Sequence, residues 1–382
     1  MQAALAGALA LAAGVGIGRF AYTALLPGTQ LGLGFDDAAA GAIASANLVG
    51  YLVGALAGRS LAGACWRHPA LRAALAAVVV STALLAVTTS EWGWTVLRLV
   101  AGVGGGVVFV VASAAALELR DGERPHPGIL YAGPGIGIAV TGATAALLPV
   151  TAWRAAWLAM AAIALLLSVP PWNAVTAPVT RGREGPGAGP APPRSPPCSM
   201  ARLRAAYFLE AAGYIVSGTF TVLAVRRTPG LERLAPWAWT LAGVAAAPSA
   251  LLWSALARRI GLRAALVTSY LVQAAGMALP SLSASAAAAL TGALFFGGTF
   301  LGIATLTMSA AREIEPGRLA RNVGTLTAIY GVGQIAGPAL AGAISHRLGS
   351  TRPAVLAAAG AVALGGVILA WPSRRDDARM AR

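Results

Sequence analysis

The sequence predicts an all-α membrane protein of twelve transmembrane helices, arranged as two pseudo-symmetric six-helix bundles. Three observations carry this. Hydrophobic residues make up 57% of the 382 residues and charged residues only 11%, with a mean hydropathy of +0.72, so too few polar side chains exist to clothe a soluble surface. The apolar residues gather into twelve runs of about 20 residues, the length of helix that crosses a hydrocarbon core of roughly 30 Å. A Pro/Gly/Arg-rich stretch at 173–199 parts these runs six and six.

Only helices and closed barrels satisfy every backbone amide inside lipid. Long apolar runs without the period-2 alternation of barrel strands select helices. In order, the spans are Ala3 to Leu26, Ala38 to Gly58, Ala70 to Thr88, Trp92 to Leu117, Pro127 to Val150 and Trp153 to Trp172. After the stretch come Leu203 to Val225, Leu234 to Ala257, Leu262 to Pro280, Ala284 to Ala310, Ala320 to Ser345 and Pro353 to Trp371. The first run has no basic leader and continues through Arg19 to Pro27 and Gly28, which reads as a span and not as a cleaved signal. The domains are then 1–172, a linker at 173–199, 200–372 and a tail at 373–382. The linker holds Pro186, Pro190, Pro192, Pro193, Pro196 and Pro197 and reads as an extended tether. Trp92, Trp94, Trp153, Trp157, Trp172, Trp237 and Trp371 stand at span ends and read as interfacial anchors.

All 28 basic residues are Arg, giving a net charge of +15. With the N-terminus inside, the outer loops hold only Arg154, Arg226, Arg227, Arg233, Arg347 and Arg352, Arg19 and Arg98 lie within spans, and all others fall on inner loops and ends. The positive-inside rule therefore places both termini and the linker in the cytoplasm, and the chain in an inner membrane in contact with lipid. Arginines dispersed among loops argue against nucleic acid as a partner. Cys65 and Cys198 fall in inner loops where thiols stay reduced, and no His or Cys pair has metal-ligand spacing, so neither disulfide nor cofactor is expected.

A weak repeat relates the halves. Gly105-Gly106 in the fourth span corresponds to Gly297-Gly298 in the tenth. Tyr131, Gly133, Pro134 and Gly137 of the fifth span correspond to Tyr330, Gly333, Gly337 and Pro338 of the eleventh. Such duplication is expected where a site lies between two halves. Gly54 and Gly58, Gly102 and Gly106, and Gly333 and Gly337 put bare backbone at four-residue intervals, for close helix approach with or without motion. Pro134 and Pro338 each remove a helical hydrogen bond in mid-span, giving a static kink or a mobile bend.

Charges inside spans cost about 2.5 to 3.5 kcal/mol each on insertion scales, so they mark a wet cavity or a partner. Arg19 sits among small residues with Phe20 and Tyr22 beside it, leaving room for an anionic group. It reads as a binding or coupling residue, or as a snorkelling or internally paired one. Glu210 is the acid well inside a span, suited to gaining and losing a proton, or else to a fixed ion pair; an Arg19–Glu210 pair is conceivable. Arg98 lies toward the outer third of the fourth span. Asn47, Tyr51, Tyr131, Tyr214, Gln273 and Gln334 are the uncharged polar candidates, for interhelical hydrogen bonds or substrate contact.

Arg98-x-x-x-Gly102-x-Gly104-Gly105 resembles the fourth-helix motif of the major facilitator superfamily (MFS), which that family associates with proton transfer. Trp153-Arg154-Ala155-Ala156-Trp157 resembles the family's opening of the sixth helix. Gly333-x-x-x-Gly337-Pro338 resembles its antiporter signature, which belongs in the fifth helix, where this chain has Gly133-Pro134-x-x-Gly137 with Ile129 in place of the preceding Gly. Gly54-x-x-x-Gly58-Arg59 resembles the cytoplasmic latch motif without its usual Asp. Gly16-x-Gly18-Arg19-Phe20-Ala21-Tyr22, Ala44-Ser45-Ala46-Asn47-x-x-Gly50-Tyr51 and Leu209-Glu210-x-x-Gly213-Tyr214 resemble the YbfB/YjiJ-type branch. The resemblance implies the MFS fold and a monomeric secondary transporter of a small organic solute, working by alternating access. The expected coupling ion is a proton carried by Glu210, with Arg98 or Arg19 shaping its affinity. The Gly-Pro motifs favour export. The alternative is a receptor or scaffold on the same fold. No catalytic cluster points to an enzyme, and no Lys exists to complete an ATPase P-loop.

Overall fold

The computed structural model describes residues 2–61, 66–117, 127–174, 198–226, 229–315 and 319–371. Among these residues every element is helical. The first rod is α1 (Gln2–Leu11), a π-helical segment (Ala12–Ile17) and α2 (Gly18–Leu33). The first half continues with α3 (Asp37–Leu61), α4 (Arg67–Leu84), α5 (Glu91–Leu117), α6 (Pro127–Leu147) and α7 (Trp153–Ala174). The second half holds α8 (Met200–Arg226), α9 (Ala235–Ile260), α10 (Leu262–Leu282), α11 (Ala286–Ile314), α12 (Leu319–Leu348) and α13 (Arg352–Ala370). Most of the Pro-rich stretch, the tail beyond Trp371, and the loops with Cys65 and His126 lie outside the described residues.

Twelve rods are thus present, and 10 of them are long and apolar enough to cross a membrane by length and composition. The other two are α4, which opens with Arg67, His68 and Arg72, and α8, which carries Arg202, Arg204 and Glu210. The first rod outruns its expected end at Leu26: α2 continues past Pro27 and Gly28 and stops where Gly34 turns left-handed at φ 73° and its N–H returns to the Gln30 carbonyl. Gly32 permits this extension, because a Cβ there would collide with the Trp153 indole.

Bare backbone zips the rods together. On α3, Gly50 and Gly54 meet the Leu99 and Val103 carbonyls of α5; in return, Gly102 and Gly106 of α5 meet the Asn47 and Tyr51 carbonyls of α3. The second half repeats this with Gly297 of α11 against the Ala242 carbonyl of α9, each partner 191 positions after Gly106 and Tyr51. A second correspondence runs at 200 positions. Gly133 and Gly137 of α6 rest on the Ala8 and Ala12 carbonyls of the first rod, and Gly333 and Gly337 of α12 rest on the Phe208 and Ala212 carbonyls of α8. Arg72 of α4 donates to the Trp172 carbonyl at the end of α7 (3.0 and 3.1 Å), and Arg263 of α10 donates to the Trp371 carbonyl after α13 (2.7 Å). Contacts duplicated pair by pair establish the two pseudo-symmetric bundles, and they move the register of the Gly105/Gly297 correspondence by one residue.

Two flanks join the halves. Along one, Gly135, Ala139 and Gly142 of α6 press against Ala247, Gly243 and Thr240 of α9. On the other, α3 meets α12, where Leu52 lies against Gly331. The outer surface is apolar, with Leu166 69% and Leu252 63% exposed, as a lipid-facing wall requires.

The tryptophans divide. Trp92, Trp172, Trp237 and Trp371 are exposed at rod ends, as interfacial anchors should be. Trp94, Trp153 and Trp157 are buried instead: Trp94 lies 5.4 Å from Trp157 and 6.3 Å from Trp153, and the Trp157 indole donates to Thr29 Oγ1 at 3.0 Å. The extra length of α2 covers them.

Candidate functional site

The first rod is shaped around a cation. Its π segment closes i→i+5 hydrogen bonds and widens one turn, a feature often found at functional positions. Glycines let neighbours approach this turn: a Cβ on Gly14 would sit 2.8 Å from Val108 Cγ1, and one on Gly18 2.9 Å from Val78 Cγ1. Arg19 follows directly after it.

Three of the expected site residues brace that stretch. Arg98 of α5 donates Nη1 to the Gly18 carbonyl (2.7 Å) and Nη2 to the Arg19 carbonyl (2.9 Å). Asn47 of α3 donates Nδ2 to the Arg98 carbonyl (2.9 Å) and to Gly18 (3.4 Å). The Tyr22 hydroxyl donates to the Ala40 carbonyl (2.9 Å), and the Arg98 guanidinium lies 5.1 Å from the Tyr22 ring centre. Arg98 is therefore committed to backbone carbonyls and is 2% exposed. Its charge contributes to the site through space, while its two terminal nitrogens hold the rod in place.

Arg19 crosses between the halves. Its Nη2 donates to the Tyr214 hydroxyl of α8 at 2.5 Å, and its guanidinium stands 5.0 Å from the Phe20 ring centre and 5.3 Å from that of Tyr51. Gln334 of α12 donates to the same Tyr214 oxygen at 2.9 Å. Tyr214 stacks on Phe300 (5.0 Å) and Tyr330 (5.6 Å), while Phe20 reaches Trp239 (6.1 Å) and Phe300 (6.0 Å).

Glu210, one helical turn before Tyr214, is wholly buried and accepts from Gln273 Nε2 of α10 at 3.0 Å; the Thr299 hydroxyl lies 3.3 Å from the other end of that amide. Arg19 and Glu210 are not ion-paired, since the guanidinium is turned to Tyr214 and the carboxylate to Gln273. Tyr131 lies tilted against Phe109 (6.1 Å), which in turn reaches the Tyr51 ring beside Arg19 (6.1 Å), so it borders this cluster from the first half without lining the cavity. Of the residues expected to serve conformational roles, Gly54, Gly58, Gly133 and Gly337 are seated in the packing seams, Pro134 and Pro338 lie within α6 and α12, and Arg59 is exposed at the end of α3.

A cavity of about 320 Å³ opens between the halves. Arg19, Tyr22, Asn47 and Arg98 line one side; Ile215, Gly218, Pro338 and Ala339 line the other. Its wall runs to Ala38 and Ala343, at the end of the bundle away from Gln2 and Trp371. Toward the other end the Leu52–Gly331 contact shuts the gap: a Cβ on Gly331 would lie 2.9 Å from Leu52 Cδ1. Tyr51, Glu210, Tyr214, Gln273 and Gln334 stand behind the wall and not in it. Phe20, Thr23 and Ser45 line the cavity, and Phe300, Tyr330 and Trp239 back it, without having been singled out in the sequence for this role. Phe296 and Phe300, one turn apart on α11, were the readable signal for that aromatic layer.

A family profile described as an uncharacterised MFS-type transporter, YbfB, matches residues 11–370. The chain belongs to this family. No curated protein matches the sequence. Among solved structures, a mutant of the nucleoside transporter NupG superposes with a TM-score of 0.75 at 13% identity, covering 97% of this chain and 99% of that one. The human organic anion transporter MFSD10 (TETRAN) superposes with a TM-score of 0.66 at 18% identity, covering 96% and 99%. At such identities the likeness shows the fold alone. The family member described here is accordingly a multi-pass membrane protein of the transporter superfamily, with the MFS fold.

Proposed function

We propose that this chain is a monomeric secondary transporter that moves a small organic solute by alternating access. The reading is carried by the cavity between the halves, which is lined by buried polar groups, reaches one end of the bundle and is shut at the other by a thin α3–α12 contact. Export is the favoured direction, and a proton gradient is the energy source. Glu210 is the proton carrier: it is a wholly buried carboxyl held by a neutral amide, one turn from the tyrosine that touches Arg19. Loading it would then be communicated to the cavity through Tyr214. The arginine distribution supports an inner-membrane location with both termini cytoplasmic, and halves at 1–172 and 200–372 joined by a tether.

Two-sided access to the cavity tests the reading. In a protein lacking Cys65 and Cys198, a single Ser45→Cys reporter on the cavity wall should react with a membrane-impermeant maleimide from both faces of sealed, oriented vesicles. The Cβ positions of Leu52 and Gly331 are 3.6 Å apart, inside the roughly 3.5–4.5 Å range of disulfide partners. Oxidising Leu52→Cys with Gly331→Cys beforehand should abolish labelling from the face nearer Leu52 and spare the other. Labelling of the single-cysteine protein from one face only would leave a receptor or scaffold and end the transport reading.

A further inference from the structure

The cavity wall carries two guanidinium groups, from Arg19 and Arg98, and no carboxylate lines it. Arg19 is 8% exposed, and its Nε is a buried donor without a hydrogen-bond partner. Arg98 is 2% exposed, spends both terminal nitrogens on uncharged carbonyls, and likewise keeps an unpartnered Nε. Neither cation meets an acidic side chain among the described residues; their neighbours are phenols, amides, carbonyls and aromatic faces. Glu210 acts on Arg19 only from behind Tyr214, without pairing with it. Two positive charges on a wall without a carboxylate raise the affinity for an anion, and a guanidinium in particular suits a planar two-oxygen group.

The rest of the wall limits the anion's body. Phe20, Leu48, Ile215 and Pro338 offer apolar contact, and Thr23, Ser45 and Asn47 supply the few uncharged polar groups. The volume, about 320 Å³, lies at the lower edge of the roughly 300–1,000 Å³ range of small-molecule pockets. From the two guanidinium groups, the absence of a carboxylate from the lining and the compact apolar wall, we infer that the cavity accepts a small organic anion, one carboxylate on a compact apolar or aromatic body. This inference names the solute class for the transport reading above and rests on it for the direction of movement only. Binding itself stands on the cavity.

Three ligands of similar size test it: benzoate, its neutral isostere benzamide and the cation benzylamine, titrated against the purified full-length protein in detergent. Intrinsic tryptophan emission is a suitable readout, with Trp239 6.1 Å from Phe20 on the wall, and thermal unfolding is a second. Benzoate should bind at least about ten-fold more tightly than benzamide, the margin expected for one charge-assisted hydrogen bond, with benzylamine weaker still. Arg19→Gln should erase the margin; Arg19→Lys, which keeps the charge and loses the planar fork, should retain part of it. Equal or tighter binding of benzamide or benzylamine overturns the inference, and so does the absence of binding by all three. The wild-type comparison decides the solute class even if Arg19→Gln does not fold. Anion binding with one-sided reporter labelling would sink transport and leave this inference standing; two-sided labelling with no anion preference would do the reverse.

Discussion

Arg19 and Tyr214 lie 195 positions apart and meet across the two halves, guanidinium to phenol oxygen, beside the cavity. The same oxygen accepts from Gln334, so Tyr214 joins α2, α8 and α12 at one atom. Removing that oxygen leaves a buried guanidinium short of an acceptor. Tyr214→Phe should therefore lower stability in detergent by about 1.5–3 kcal/mol, the cost of a hydrogen bond to a charged group. Chemical unfolding checks this, and an unchanged midpoint would mean the bond contributes nothing.

Glu210→Gln keeps the shape of the carboxyl and an oxygen to accept from Gln273, so folding should change little. Glu210→Leu strands the Gln273 amide and should cost about 1–3 kcal/mol. As the proposed carrier, Glu210 should yield a protonated-carboxyl band in infrared difference spectra between acidic and alkaline buffer, and Glu210→Gln should lack it. A band that persists in the variant belongs to another group.

Gly337 and Gly342 share one helix and should respond oppositely to alanine. A methyl at Gly337 would drive into the Ala212 carbonyl of α8, whereas nothing lies within 4 Å of a methyl at Gly342. Gly337→Ala should cost about 1–3 kcal/mol or more through overpacking, and Gly342→Ala should be neutral or slightly stabilising. Thermal unfolding of the pair provides the comparison; equal effects would contradict the seam.

Cys198, just ahead of α8, is 6% exposed; burial pushes its thiol up to about 11, while Arg263 and Arg202 pull the other way. The thiolate is the reactive form, so in a Cys65→Ser protein Cys198 should resist iodoacetamide at neutral pH and label quickly only as pH approaches that value. The same sign makes folding lose ground as pH rises from the ordinary thiol value of 9.0 toward 11. Ready labelling of the folded protein at neutral pH would refute the burial argument.

The twelve rods and the duplication were legible because lipid imposes length and polarity on every span, and because glycines at fixed intervals record where backbones touch. Arg19 and Glu210 stood out for the same reason, as charges where charge is costly. What each partners was not legible. Arg98 reads as a coupling group in its motif, yet its acceptors are carbonyls of the first rod, and carbonyls have no letter in a sequence. The π turn at Ala12–Ile17 has no sequence signature, and the close approach of Val108 to Gly14 and of Val78 to Gly18 beside it is a tertiary fact. Trp94, Trp153 and Trp157 are buried and not interfacial because α2 runs on past Pro27 to Leu33 and covers them, a length that the proline hides in the sequence. Trp239 sits two residues from an exposed tryptophan, and only the rotation of α9 decides which of them faces the cavity wall.

The contrast between the two flanks sets which side of the bundle is the more lightly held. Parting α6 from α9 would pull apart backbone surfaces in contact from Gly135 to Gly142, whereas α3 and α12 share a smaller interface that includes Leu52 against Gly331. The bundle is bound like a book, with its spine along α6 and α9 and its pages more lightly held along α3 and α12. In the proposed alternating access, the fore-edge is the side expected to part first.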